Sequence, residues 1–327
     1  MNTHLLSRLG AIAPVCLLLA ACGGGSGGSD ETGKLSLAIT DAPIYDAQSV
    51  EVDFSGVEIK PADGPAIRFN FCEALTDPDI NPPIVQQDEC TESAASIQTI
   101  DLLQQTGGAS FLLLDRVDFP AGRVNWVRLA LTDPAGRIVM STGEHELEVL
   151  TVPSGNQTGL KLNRGFDVPA GAEVKVYIDF DVRKSIVVAN GKYKLKPTLR
   201  LVEDFGAIAG TVDSSLLPDI CLGPSVYVFA GADATPDDID RDKGDPISSA
   251  AVVLDNDSGI YSYRADFLAP GAYTASFVCA DGVSPDNGTT FTEPADEPDR
   301  DDTLNFTLAS PTSTATVVDG QTVEIDF

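Results

Sequence analysis

Period-two alternation of apolar and polar residues, interrupted at short intervals by Pro and Gly, governs what this 327-residue chain can fold into. Successive side chains of an extended strand point to opposite faces, so this pattern buries one face and wets the other. Lys34 to Thr40 sets Leu35, Leu37 and Ile39 on one face. Val50, Val52 and Phe54 repeat this, and Gly56 then breaks the rhythm before Val57 and Ile59, which predicts a bulge. Val124 to Leu131 (VNWVRLAL) alternates again and runs into Thr132-Asp133-Pro134-Ala135-Gly136, which predicts a turn leading to Ile138-Val139-Met140. Trp126 shares the parity of Val124, an arrangement that predicts a core tryptophan. Further strands are expected over Leu147–Leu150, Gly159–Leu162, Val174–Phe180, Ile186–Val188 and Tyr193–Leu201. No segment carries a helical period of apolar residues, so the expected fold class is all-β.

A second unit begins near Phe205. Its expected strands are Ile208–Val212, Val226–Phe229, Ala250–Leu254, Ile260–Tyr263, Tyr273–Val278, Leu304–Leu308 and Val323–Phe327. Two β-sandwich domains, immunoglobulin-like or transthyretin-like, are therefore expected over residues 33–204 and 205–327.

The amino terminus has a different character. Arg8 precedes an apolar run from Leu9 to Ala20 that is short for a membrane span, and Leu19-Ala20-Ala21-Cys22 closes it. This order resembles a bacterial lipoprotein signal, which implies a signal peptide over residues 1–21 and lipidation of Cys22. Gly23 after the cysteine resembles the pattern for outer-membrane delivery, so the cell envelope is the expected location. Residues 22–32 are rich in Gly and Ser; about 5–6 Å × √n gives this tether a reach of roughly 20 Å. Beyond it the apolar runs are as short as Phe111-Leu112-Leu113-Leu114, which makes the lipid the expected membrane attachment.

With Cys16 in the signal and Cys22 lipidated, four of six cysteines remain, two in each expected domain. Pairing within domains joins Cys72 to Cys90 and Cys221 to Cys279, in an oxidising compartment. Zinc is the competing use. It is disfavoured because there is no C-x-x-C spacing and His145 is the one histidine after the signal.

Formal charge is -28, or -29 once Arg8 is lost, and residues 205–327 hold 22 acids against 4 bases. Such a surface repels phosphate backbones, which argues against nucleic-acid partners. The strongest metal candidate is Asp238-Ile239-Asp240-Arg241-Asp242-Lys243-Gly244-Asp245. Asp238, Asp240, Asp242 and Asp245 could converge on Ca²⁺, which takes six to eight oxygens. Lys243 stands where an EF-hand needs Gly and Ser249 where it needs Glu, so this is no EF-hand, and a solvated acidic loop is the plainer reading. No other cofactor is implied. Asp41-Ala42-Pro43 reads as a turn closed by the Asp41 side chain on local backbone N–H groups. No G-x-S-x-G, Walker loop or H-E-x-x-H occurs, and His145 lies in a polar segment.

Two series of motifs carry a family resemblance. "GKLSLAITDAPIYDAQSVEVDFSGVEI" at Gly33 to Ile59, "VNWVRLAL" and "VPSGNQTGLKL" at Val152 to Leu162 are followed by "FDVPAG", "IDFDVRKSIV" and "YKLKPTLRLV". Together they resemble the bacterial family known as domain of unknown function 4382, which implies an envelope setting and no assigned catalytic residues. "GAIAGTV" at Gly206 to Val212 and "DNDSGIYSYRADFLAPGAYTASF" at Asp255 to Phe277 resemble a carboxypeptidase-regulatory-type sandwich, which implies a spacer or binding unit. The expected function is thus a non-catalytic, lipid-anchored envelope module with a protein or carbohydrate ligand held at loop ends. An envelope carbohydrate or peptide hydrolase using paired carboxylates, and a calcium-dependent adhesion module, are the competing expectations.

Overall fold

The computed structural model of the protein describes residues 31–42, 47–71, 96–140, 147–152, 159–189, 192–217, 221, 223–237, 244–280, 306–308 and 311–327. The first set of strands is β1 (Thr32–Ala42), β2 (Ala47–Pro61), β3 (Ile67–Asn70), β4 (Gln98–Asp101), β5 (Phe111–Pro120) and β6 (Gly122–Met140). It continues with β7 (Leu147–Leu150), β8 (Leu160–Leu162), β9 (Asp167–Val168), β10 (Glu173–Asp181), β11 (Ile186–Ala189), β12 (Lys192–Leu195) and β13 (Leu199–Val202). One helical turn, α1 (Val182–Ser185), separates β10 from β11.

These strands build a sandwich. One sheet has the order β13-β10-β1-β5, with β1 and β10 parallel and the other pairs antiparallel. The facing sheet runs β3-β2-β6-β7, with β4 also on β2 and β8 and β9 on β6. Leu35, Leu37 and Ile39 of β1, Val52 and Phe54 of β2, and Val127 and Leu129 of β6 share one buried core. The nonpolar burial of such side chains contributes roughly 1.5–3 kcal/mol each.

Bulges decide which residues reach that core. The ladder between β2 and β6 shifts between Phe54 and Gly56, so the buried parity passes from Val50, Val52 and Phe54 to Val57 and Ile59. A second shift lies between the pairs Lys60–Trp126 and Pro61–Val124. It leaves Val124 buried but turns Trp126 outward, half-buried on the solvent face, so the expectation of a core tryptophan is overturned. Thr132 to Gly136 is likewise no hairpin turn. Residues between Leu131 and Gly136 loop out of a single strand, and β6 resumes its pairing with β2 at Gly136. Gly136 has φ +155°, and a Cβ there would lie 2.0 Å from the Glu51 carbonyl oxygen; the close return to the ladder requires glycine.

The second set comprises β14 (Gly206–Val212), β15 (Pro224–Ala230), β16 (Ser248–Ala251), β17 (Val253–Asp255) and β18 (Ile260–Leu268). It ends with β19 (Gly271–Ala280), β20 (Phe306–Leu308), β21 (Ser313–Val317) and β22 (Thr322–Glu324). The sheets β17-β18-β14-β22 and β16-β15-β19-β20, with β21 also on β19, close over Ile208, Val226, Val228, Ala265, Ala275 and Phe277. The chain is thus all-β, with two sandwiches that each enclose a core and a small third cluster of Tyr227, Phe229 and Val278. Among the described residues no helix is long and apolar enough to cross a membrane.

Candidate functional site

The two sandwiches meet along a seam built mainly by α1. Asp181 caps this turn, its Oδ1 accepting from Lys184 N at 3.2 Å. Asp41 reaches it from β1: its Oδ1 accepts from Val182 N at 3.0 Å, so the carboxylate secures a distant turn, while residues 43–46 of the turn expected from the sequence lie outside the described residues. At 7% exposure this hydrogen bond is shielded from water. On the far side, Lys184 Nζ lies 3.1 Å from Asp245 Oδ2 and donates to the Pro246 carbonyl at 2.5 Å. Both side chains are largely buried, at 12% and 8% exposure. Burial pushes the Asp181 carboxyl above the usual carboxylate range, while the Lys184 charge opposes the rise. Arg183 lies 5.0 Å over the Tyr227 ring, and Tyr177, Phe205 and Phe267 form an aromatic trio with centroids 4.7–4.9 Å apart. Each such aromatic pair contributes about 0.5–1.5 kcal/mol beyond its area.

The seam also sets one wall of an open groove. Ser185 Oγ donates to the Asp181 carbonyl and accepts from Thr198 N at 2.8 Å, and Lys196 N donates to the Ser185 carbonyl at 2.7 Å. These bonds hold the segment that carries Pro197, Leu199, Arg200 and Leu201, which line the groove with Lys161, Leu162, Asn163 and Arg164. The volume is about 400 Å³, within the roughly 300–1,000 Å³ of small-molecule sites. Arg164 is brought there by a tight backbone crossing. Val124 N donates to the Phe166 carbonyl at 2.8 Å, and a Cβ on Gly165 would lie 2.1 Å from the Val124 oxygen.

The rim is cationic. Arg200 Nε donates to Asp179 Oδ2 at 2.7 Å, whereas Lys161 and Arg164 are exposed and form no ion pair among the described residues. Burial raises the Glu203 carboxyl above its ordinary value, and the nearby Arg164 charge opposes that rise. Lys161 Nζ lies 4.6 Å from the centroid of Trp126, and the Arg128 guanidinium 4.9 Å from it. Arg128 is held in turn by Glu58 at 3.0 Å, which also takes Arg68 at 3.1 Å. The bulge that expelled Trp126 from the core therefore placed an aromatic ring at the groove's edge. Sixteen of the 21 lysines and arginines fall within residues 33–204, which is where this patch forms.

Asp245, one of the four aspartates that could converge on Ca²⁺, pairs with Lys184 at 3.1 Å. Asp238, Asp240 and Asp242 lie outside the described residues, as do Cys22, Cys72, Cys90 and His145. Among the described residues no group of three metal-ligating side chains converges. Asp255 accepts from Asp257 N at 2.9 Å and closes its own turn. Cys221 is disulfide-bonded; Cys279 stands in β19 opposite Pro224, and its side chain lies outside the described residues. Sequence reasoning missed the groove because Lys161, Arg164 and Arg200 match no pattern with an assigned ligand chemistry. The signal that could have found them is the crowding of cations into the first sandwich of an acidic chain.

No curated protein matches the chain. Among solved structures it is similar to the TIE protein of Bacillus anthracis, at 10% identity and a TM-score of 0.19, covering 90% of this chain and 34% of that one. It thus spans about a third of that protein's length. It is similar also to the minor pilin GBS52 of Streptococcus agalactiae, at 11% identity and a TM-score of 0.17, covering 89% and 94%. The major pilin subunit BcpA of Bacillus cereus gives 11% identity and 0.20, covering 91% and 69%. Such scores carry no argument, and the fold rests on the strands described above. The model of the family described as Domain of unknown function (DUF4382) matches residues 32–197. With just over half of its 327 residues matched, the chain belongs to the DUF4382 family.

Proposed function

We propose that this protein is a non-catalytic binding module of the cell envelope, tethered through a lipid on Cys22 at the outer membrane. The supporting observation is the fixed groove, whose wall is braced through Ser185, α1 and Asp41 to both sandwiches. A braced, open, cationic groove suits recognition of a ligand with little reorganisation. Three buried acids of the first sandwich are engaged in holding this frame: Asp41 on Val182, Asp179 on Arg200 and Asp181 on Lys184. Carboxylates so engaged are poor candidates for paired acid and base roles in hydrolysis. The second sandwich serves as a carboxypeptidase-regulatory-like spacer, stapled by a Cys221–Cys279 bridge, and a Cys72–Cys90 bridge staples the first.

The test incubates purified protein with soluble glycan and peptide fractions of bacterial envelopes and follows binding and chemistry together. Saturable binding with no new reducing ends or free amines is expected. Release of either product in step with protein concentration would overturn the reading. Mass spectrometry of the mature amino terminus, expected to show acylated Cys22, tests the anchor.

A further inference from the structure

We propose that the groove beside Trp126 binds a carboxylate-bearing sugar chain, with Lys161 and Arg164 taking the carboxylates; this rests on the binding-module reading above. Four features converge on that ligand class. Pro197 and Leu199, partly exposed on the lining, offer a C–H surface, as the apolar face of a pyranose ring requires. Asn163, exposed on the same lining, supplies an amide donor and acceptor for hydroxyl groups. Lys161 and Arg164 present charges that no described acid neutralises within ion-pair distance, and an arginine fork matches a carboxylate in two parallel bonds. Trp126, beyond the lining, lies 4.6 Å from the Lys161 ammonium and helps to position that charge at the groove.

The overall charge sets the conditions. At -28 the protein repels polyanions at long range, but the screening length is about 8 Å at physiological ionic strength. Within that distance the local cations govern contact. A plain polyanion lacking a C–H face would meet the charges but leave Pro197 and Leu199 uncovered.

The experiment is calorimetric titration of the whole mature chain with an oligogalacturonate, its fully methyl-esterified form, inorganic polyphosphate and a bacterial envelope glycan fraction. Binding of the acid form is expected, with the ester and polyphosphate at least about tenfold weaker. Lys161→Glu/Arg164→Glu should weaken the acid form by about tenfold or more, and Trp126→Ala by a smaller factor. An unchanged melting temperature shows that the exposed Lys161 and Arg164 substitutions leave the fold intact. Lys161→Arg, which keeps the charge, should retain binding. Equal binding of acid and ester, equal binding of polyphosphate, or full binding by the double charge variant would overturn the proposal. Binding of the envelope fraction alone would defeat the sugar-acid assignment and leave the binding module standing. Binding of no probe and no fraction would defeat both.

Discussion

The two sandwiches use their acids in opposite ways. In the first, Asp41, Asp179 and Asp181 are buried and bind a helical turn or a basic side chain. In the second, Asp213, Asp255 and Asp326 stand at the surface and accept from the backbone N–H groups of Ser215, Asp257 and Thr211. The cores differ too, with 33 described residues in the first cluster and 15 in the second. A larger core can carry the cost of buried charge and so hold an internal frame behind a groove. In the smaller one these three acids stay in water and bond the backbone, while Asp245 is buried only at the seam. The difference teaches that the groove belongs to the first sandwich, while the second contributes the brace through Asp245 and Pro246.

The contrast breaks most sharply at Lys184. Lys184→Ala removes the buried cation 3.1 Å from Asp245, a change that costs about 3–5 kcal/mol. A marked fall in melting temperature is expected, partly restored in Lys184→Ala/Asp245→Asn. A fall no larger than that of an exposed lysine such as Lys192 would show the seam to be decorative.

Asp41→Ala comes next. It removes the acceptor from Val182 N and costs about 1–3 kcal/mol by leaving a buried donor unpaired. Because α1 holds Pro197 through Ser185, hydrogen exchange at residues 195–201 should quicken along with it. Quickening confined to residues 40–42 would separate Asp41 from the groove.

Legibility followed the same divide. Alternation located most strands, including β7 at Leu147–Leu150, and placed the Gly56 bulge, because period two survives wherever a strand is regular. It misread Trp126 and the Thr132–Gly136 excursion, since a bulge changes parity without changing composition. Asp41 was legible as a hydrogen-bonding aspartate, but its partner is 141 residues away and no local pattern encodes it. Tyr193–Leu201 was read as one strand; it is two, split where Lys196 and Thr198 bond Ser185. The groove was invisible because its lining comes from two segments whose cations are unremarkable in either.

Acid sharpens the comparison with a smaller effect. Backbone donors hold Asp213, Asp255 and Asp326 below the ordinary 3.8. Their stabilisation is therefore full above that value and lost as pH falls through the lowered ones. Asp181 is raised above 3.8 by burial, so its folded form takes the proton more readily; its contribution is largest at or below 3.8 and declines as pH rises through the raised value. On acidification, exchange should quicken at the second sandwich's turns before residues 179–185. The reverse order would remove the distinction. The smallest stability effect is expected for Trp126→Ala, about 1 kcal/mol or less from loss of its cation–π contacts at a half-exposed site.

The seam is tested most directly by following unfolding with two probes at once. Trp126 is the only tryptophan, so its fluorescence reports the first sandwich, while hydrogen exchange across β15 and β19 reports the second. If the Lys184 clamp joins them, denaturant midpoints coincide in the wild type and separate in Lys184→Ala. Separate midpoints in the wild type, unchanged by the substitution, would mean that the two sandwiches stand independently and that the groove has no brace.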